Sequence, residues 1–194
     1  IDSSSVSGIN SGFTVEATGS REDNSTTDYV AAGFVAKSNS TKINDAKVNN
    51  LKTVTSTDDG GYSGGFIGIS KTGGLAEVGD ETEIKKLISA NGLLNAVGYL
   101  IPSYQQCYVS YVDNGGVRGD IAGGFVGDFQ SGIVENDENN AYAIQNISYV
   151  KGKTYAGGFG GKVYSGALAD STKGISILGG LADLNIQISD LLSL

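Results

Sequence analysis

The stretch Ile121–Gly127, IAGGFVG, decides how this chain reads, because it occurs in four versions. Val30–Ala36 (VAAGFVA), Tyr62–Gly68 (YSGGFIG) and Tyr155–Gly161 (YAGGFGG) follow the same plan, with small residues just before a Phe and another two places after it. With the Phe as origin, the position four before holds Val30, Tyr62, Ile121 or Tyr155, and the position nine after holds Ile43, Leu75, Val134 or Leu168. Both columns are apolar throughout. Apolar columns at fixed offsets, with loops of variable length between them, are the mark of one structural unit stacked so that each copy buries its neighbour's face. Phe34, Phe66, Phe125 and Phe159 are therefore expected to form an internal stack.

A longer period lies above the short one. Phe34 and Phe125 are 91 residues apart, Phe66 and Phe159 are 93 apart, and Gly74-Leu75-Ala76-Glu77 is echoed 93 residues on by Ala167-Leu168-Ala169-Asp170. The chain reads as one domain, 1–194, of two superunits at about 1–102 and 103–194, each closed by an insertion. Ile84, Leu87, Asn91, Leu94, Val97 and Ile101 recur every three or four places, as do Ile177, Leu181, Leu184, Ile188 and Leu191. That period predicts amphipathic helices over about 81–101 and 175–193. Asp80 with Glu83 has the form of a capping box, Pro102 is a natural stop, and Gly179 and Gly180 weaken the second helix by about 1 kcal/mol each. Neither stripe has the roughly 20 continuous apolar residues a membrane span needs, so both are expected to cap or cover the stack.

Outside the insertions the pattern is strand. Val48, Leu51 and Val54 are spaced by three, and so are Ile144, Ile147 and Val150. A spacing of three suits short strands broken by corners better than long alternating ones. Thirty glycines beside a single Pro fit such corners and the close approach of one coil to the next. The expected class is mainly β, a β-helix or β-solenoid of tandem repeats, right-handed as parallel β-connections overwhelmingly are.

The residues also carry a family resemblance. The block Ala122–Gly127 (AGGFVG), a Ser-Gly or Gly-Gly a few places on, an apolar strand with Asn nearby, and then another aromatic-small-Gly-Gly-Phe block resemble the GLUG-type repeats of Gram-positive cell-wall-anchored, adhesin-like proteins. The likeness runs from about Ser5 to Leu194, with Ala32 and Gly160 as its departures. It implies a β-helical stalk or adhesive segment outside the cell and no catalytic residues. Ile1 lies within a repeat and Leu194 closes one, so the sequence reads as a segment of a longer repeat protein with neighbours on both sides.

Composition narrows the chemistry. The net charge is −8, and there is no His, Met or Trp and one Cys. A Ser or Cys nucleophile would lack its usual base, and a zinc site would lack its commonest ligand. Cys107, in the strand Cys107-Tyr108-Val109, reads as a small buried residue. Asp58-Asp59, Asp80-Glu81-Glu83 and Glu135-Asp137-Glu138 are the carboxylate clusters, and each reads as a solvated loop. Asp113-Asn114-Gly115-Gly116 lacks the spaced acids and closing Glu of a calcium loop and reads as a tight turn. No cofactor is expected, and the metal weighed for these carboxylates is calcium bound between coils. The thirteen Lys and Arg residues look scattered, the acidic balance would repel a phosphate backbone, and GGFIGISKTGG and GGFGGK lack phosphate-loop spacing, so no nucleic acid is expected.

The tyrosines are the remaining candidates. Tyr104, Tyr108 and Tyr111 fall close together after the first insertion, and as an exposed row they would stack sugar rings or grip a protein. The loops Ser20–Asp28 and Asp137–Tyr142 are the variable segments where a ligand could be met. The function expected is a non-catalytic structural or adhesive repeat segment, extracellular at the cell surface or wall. Its expected partners are a host or neighbouring-cell protein or glycan and the adjoining repeats, with no membrane insertion. The alternative is a carbohydrate-binding or carbohydrate-active β-helix, lyase-like or hydrolase-like, working through acidic loop residues. Repetition of the superunit argues against that alternative, as does having only Arg21 and Arg118 as arginines.

Overall fold

The computed structural model describes residues 1–19, 28–57, 59–72, 101–137 and 142–164. Among these the chain is mainly β: fourteen strands, no helix, and every strand pairing parallel. The two expected helices lie outside the described residues except for Ile101, which sits in a bend. Ten strands form one sheet and four form a second.

The pairing resolves into four tiers. The first tier holds β1 (Asp2–Ser7), β2 (Phe13–Ala17), β3 (Tyr29–Ala32) and β4 (Val35–Asn39), and the second holds β5 (Lys42–Ser56), β6 (Gly61–Gly64) and β7 (Ile67–Lys71). The third holds β8 (Ser103–Gln105), β9 (Tyr108–Gly123) and β10 (Val126–Phe129). The fourth holds β11 (Ile133–Glu135), β12 (Ile144–Gln145), β13 (Tyr149–Gly157) and β14 (Gly160–Val163). Each tier pairs with the next in chain order, and Val30, Tyr62, Ile121 and Tyr155 fall in one register column.

The four Phe rings stack in that same order. Centroids of Phe34 and Phe66 are 4.8 Å apart, those of Phe66 and Phe125 5.0 Å, and those of Phe125 and Phe159 5.4 Å, with planes within 7° of parallel. These separations match the roughly 4.8 Å between paired strands. Carbon faces in contact lie about 3.5 Å apart, so rings repeating at the strand spacing must be offset, the arrangement that aromatic quadrupoles favour. Beside each ring a glycine column makes room: a Cβ on Gly65 would lie 2.1 Å from the Gly124 carbonyl oxygen, and one on Gly124 would lie 2.0 Å from that of Gly158. The stack closes only if that column has no side chains.

The spacing of three has a backbone cause. Asn50 (φ 58°) sits between Val48 and Leu51, and Asn146 (φ 59°) between Ile144 and Ile147. One left-handed residue interrupts the two-residue alternation, so side chains three apart both turn inward, and Asn tolerates that conformation better than most residues. A second corner repeats at one register position, with Ser3 (φ 48°), Asp45 (φ 48°) and Gln106 (φ 54°) in successive tiers. The core inside these corners contains Ile43, Val48, Leu51, Val54, Val109 and Val117, all buried, around Phe66 and Phe125.

The column nine places after the Phe is filled differently from the expectation. Ile43 and Val134 both pair with Tyr104, so Tyr104 holds the third-tier place expected for Leu75. Leu75 and Leu168 lie outside the described residues. The chain reaches that column in the third tier only after the first insertion.

Candidate functional site

The expected exposed row of tyrosines does not form. Tyr104 is fully buried; its hydroxyl donates to Ser38 Oγ at 2.8 Å and lies 2.6 Å from Ser70 Oγ. Tyr111 is buried too, with its hydroxyl donating to the Gly124 carbonyl at 2.7 Å. Desolvation pushes both phenols above their ordinary pKa. The left-handed corner at Gln106 separates Tyr104 from Tyr108 and turns Tyr108 outward, where it is half-buried with Lys47 Nζ 5.9 Å from its ring centroid. Tyr104 and Tyr111 are thus interior struts spanning the core, and they are corrected here from surface contacts to core residues.

Cys107 is buried as read, with its thiol pushed up to about 11 by desolvation. Asn136 brackets it from the fourth tier: its Oδ1 accepts the Cys107 N–H at 3.2 Å and its Nδ2 donates to the Cys107 carbonyl at 3.1 Å. A side-chain amide here replaces a stretch of backbone ladder. Among the acidic candidates, Glu135 accepts from Gln105 Nε2 at 3.1 Å, and Asp59 lies 3.8 Å from Lys153 Nζ. Asp58, Asp80, Glu81, Glu83 and Glu138 lie outside the described residues, as do most of the two loops expected to meet a ligand. Among the described residues no group of three or more His, Cys, Asp or Glu is placed to hold a metal. Asp113 and Asn114 belong to a bulge, residues 112–115, opposite Lys52 between the pairs Leu51–Tyr111 and Thr53–Gly116.

The structure gathers basic residues that looked scattered. Arg118, Gly119, Lys151, Gly152 and Lys153 line a hollow of about 370 Å³. Arg118 and Lys151 are register partners on β9 and β13, which brings residues 33 apart in sequence onto neighbouring strands. A bulge between Gly152 and Tyr155 shifts the register, and a bulge re-aims the side chains beside it. The floor is pinned beneath: Ser63 Oγ donates to the Arg118 carbonyl at 2.8 Å and lies 2.8 Å from Ser56 Oγ. A Cβ on Gly119 would fall 2.4 Å from Ser56 Oγ, so the chain lies directly on that buried pair. At the rim, Lys151 Nζ stands 5.0 Å from the Tyr149 ring centroid, and Asp120 accepts from the Gly60 N–H at 2.9 Å and from the Thr154 hydroxyl.

A second polar group lies on β10 and β14. Asp128 is buried, its Oδ2 accepting from Gln130 Nε2 at 2.7 Å while its Oδ1 has no partner. Burial pushes its carboxyl pKa up, against the pull of Gln130 and Lys162. Lys162, its register partner, lies 5.9 Å from the Tyr155 ring centroid and 4.8 Å from that of Tyr164.

No known protein family, curated protein or solved structure matches the chain.

Proposed function

We propose that this chain is a non-catalytic β-solenoid segment of a secreted bacterial surface protein, with GLUG-like repeats that serve adhesion by holding loops and shallow outer surfaces at a distance from the cell. The single observation that carries this reading is the Phe ladder, four rings in line through four parallel tiers. The two-superunit plan gives the solenoid its length. Repetition of this kind provides rigidity and reach without a specialised cleft.

The test has two arms. Beads coated with the chain should attach to host or neighbouring cells and to an arrayed set of glycans, with attachment competed by soluble chain. The same preparation should release no reducing ends or unsaturated products from polysaccharides. Turnover on any polysaccharide would replace this reading with the carbohydrate-active one, and the absence of attachment to every surface tried would remove adhesion and leave a spacer.

A further inference from the structure

We propose that the hollow between β9 and β13 is a binding site for an acidic saccharide, a sugar unit carrying a carboxylate or sulfate, held by Arg118, Lys151 and Lys153. This deepens the adhesive reading by naming a ligand class, and its anion chemistry can be tested apart from attachment to cells.

The argument begins with charge. In a chain of net charge −8, three cationic side chains line one hollow, where Lys153 and Asp59 form a loose, exposed pair at 3.8 Å. Neighbouring parallel strands run about 4.8 Å apart, so Arg118 and Lys151 can contact the two oxygens of one bound oxyanion from adjacent rungs. The site is built on strands, with its floor fixed by the Ser56–Ser63 pair and by a glycine that admits no side chain. A volume of about 370 Å³ lies within the ordinary range for small-ligand sites.

The rim selects among anions. Asp59, paired with Lys153, and Asp120, which accepts from the Thr154 hydroxyl next to Lys153, offer acceptors to sugar hydroxyls. Those carboxylates would repel a run of acidic side chains in a peptide. The overall negative charge would repel a long polyphosphate, for which three cations provide few contacts. A sugar acid, with one anionic group among neutral hydroxyls, matches both halves of the rim.

The test is calorimetric titration of the whole chain with oligosaccharides carrying a single uronate, oligosaccharides carrying a single sulfate, neutral oligosaccharides of equal length, an oligo-glutamate peptide and inorganic sulfate. One or both acidic sugars should bind, at least about tenfold more tightly than the neutral sugar, the peptide or free sulfate, and less tightly as salt is added. Which acidic sugar binds distinguishes carboxylate from sulfate. R118Q/K151Q should weaken that binding at least about tenfold, while K52Q/K71Q, which removes the same charge elsewhere, should change it by less than about threefold. Equal losses in the two double variants, equal binding of neutral sugar or peptide, or no binding of either acidic sugar would each overturn the proposal. Lysines on a strand that is outermost among the described residues also discourage edge pairing. If R118Q/K151Q promoted self-association in light scattering and left sugar binding intact, that lesser role would stand in place of the site. Cell attachment that persists in R118Q/K151Q would leave the adhesive reading standing while this site fell.

Discussion

Among the described residues, the second and third tiers differ from the fourth in one respect: they have a paired tier on both sides. Phe66 and Phe125 are fully buried, whereas Phe159, the same residue in the same motif, is 39% exposed. Ile121 is 8% exposed, and its column neighbour Tyr155 is 49% exposed. The motif therefore does not specify a buried residue by itself. It specifies a face, and burial comes from the neighbour that covers it, as expected where stability is a sum of repeat and interface terms.

The sharpest way to break that comparison is to remove a ring from each region. Phe125→Ala opens a cavity between Phe66 and Phe159 and should destabilise the chain by about 3–5 kcal/mol. Phe159→Ala removes one stacking contact from a part-exposed ring and should cost about 1–2 kcal/mol, from the smaller area and the single aromatic pair. Denaturant unfolding followed by tyrosine fluorescence measures both. Equal losses would mean that residue 159 is as well covered as residue 125.

The glycine beside the ring gives the next largest effect. A Cβ on Gly124 would lie 2.0 Å from the Gly158 carbonyl oxygen and 3.1 Å from Ile147 Cδ1. The nearer obstacle is backbone, so the tiers must separate, and Gly124→Ala should cost about 1–3 kcal/mol. The same unfolding experiment reports it, and a loss below about 0.5 kcal/mol would show that the tiers slide past one another easily.

These features differ in how legible they are in the sequence. The Phe stack is plain because parallel pairing puts equal offsets in one column, so counting along the chain is counting along the ladder. The corners at Asn50 and Asn146 show as a spacing of three. Tyr104 is hidden because the first insertion interrupts the forward count from Phe66. Counting backward recovers it, since Ile43, Tyr104 and Val134 lie 23, 21 and 25 residues before the next Phe. The basic hollow leaves only a faint trace: Arg118 is seven before its Phe, and Lys151 and Lys153 are eight and six before theirs. A bulge changes such offsets by a residue or two, and no local pattern announces that Arg118 and Lys151 will be neighbours.

Asp128 extends the comparison to charge, since the second tier has Ile69 at the same register position. The groups that bear on the Asp128 carboxylate are Gln130, Lys162, Asp28 and Tyr62. Burial raises its folded-state pKa, so between the unfolded carboxyl value of about 3.9 and the folded value the native state binds the extra proton. That contribution to stability is complete below the unfolded value and is lost as pH rises through the folded one. Asp128→Asn should therefore raise the melting temperature at pH 7, and the gain should shrink to nothing as pH falls below about 3.9. Melting curves across that range check it. A variant less stable than the parent at pH 7 would mean that the pull of Lys162 outweighs desolvation.

The smallest expected effect distinguishes the two regions most cleanly. A Cβ at Gly158 meets no atom within 4 Å, and its φ is not in the left-handed region, although Gly158 is the column equivalent of Gly65 and Gly124. Gly158→Ala should thus be neutral or stabilising by about 0.4–1 kcal/mol, through the reduced entropy of the unfolded chain. If something seats on the fourth tier as the fourth seats on the third, the added methyl will meet a carbonyl as it would at Gly124, and the substitution will instead cost about 1–3 kcal/mol. Measured by denaturant unfolding, the sign of a single Gly→Ala change reports whether the ladder ends at Phe159 or is covered beyond it.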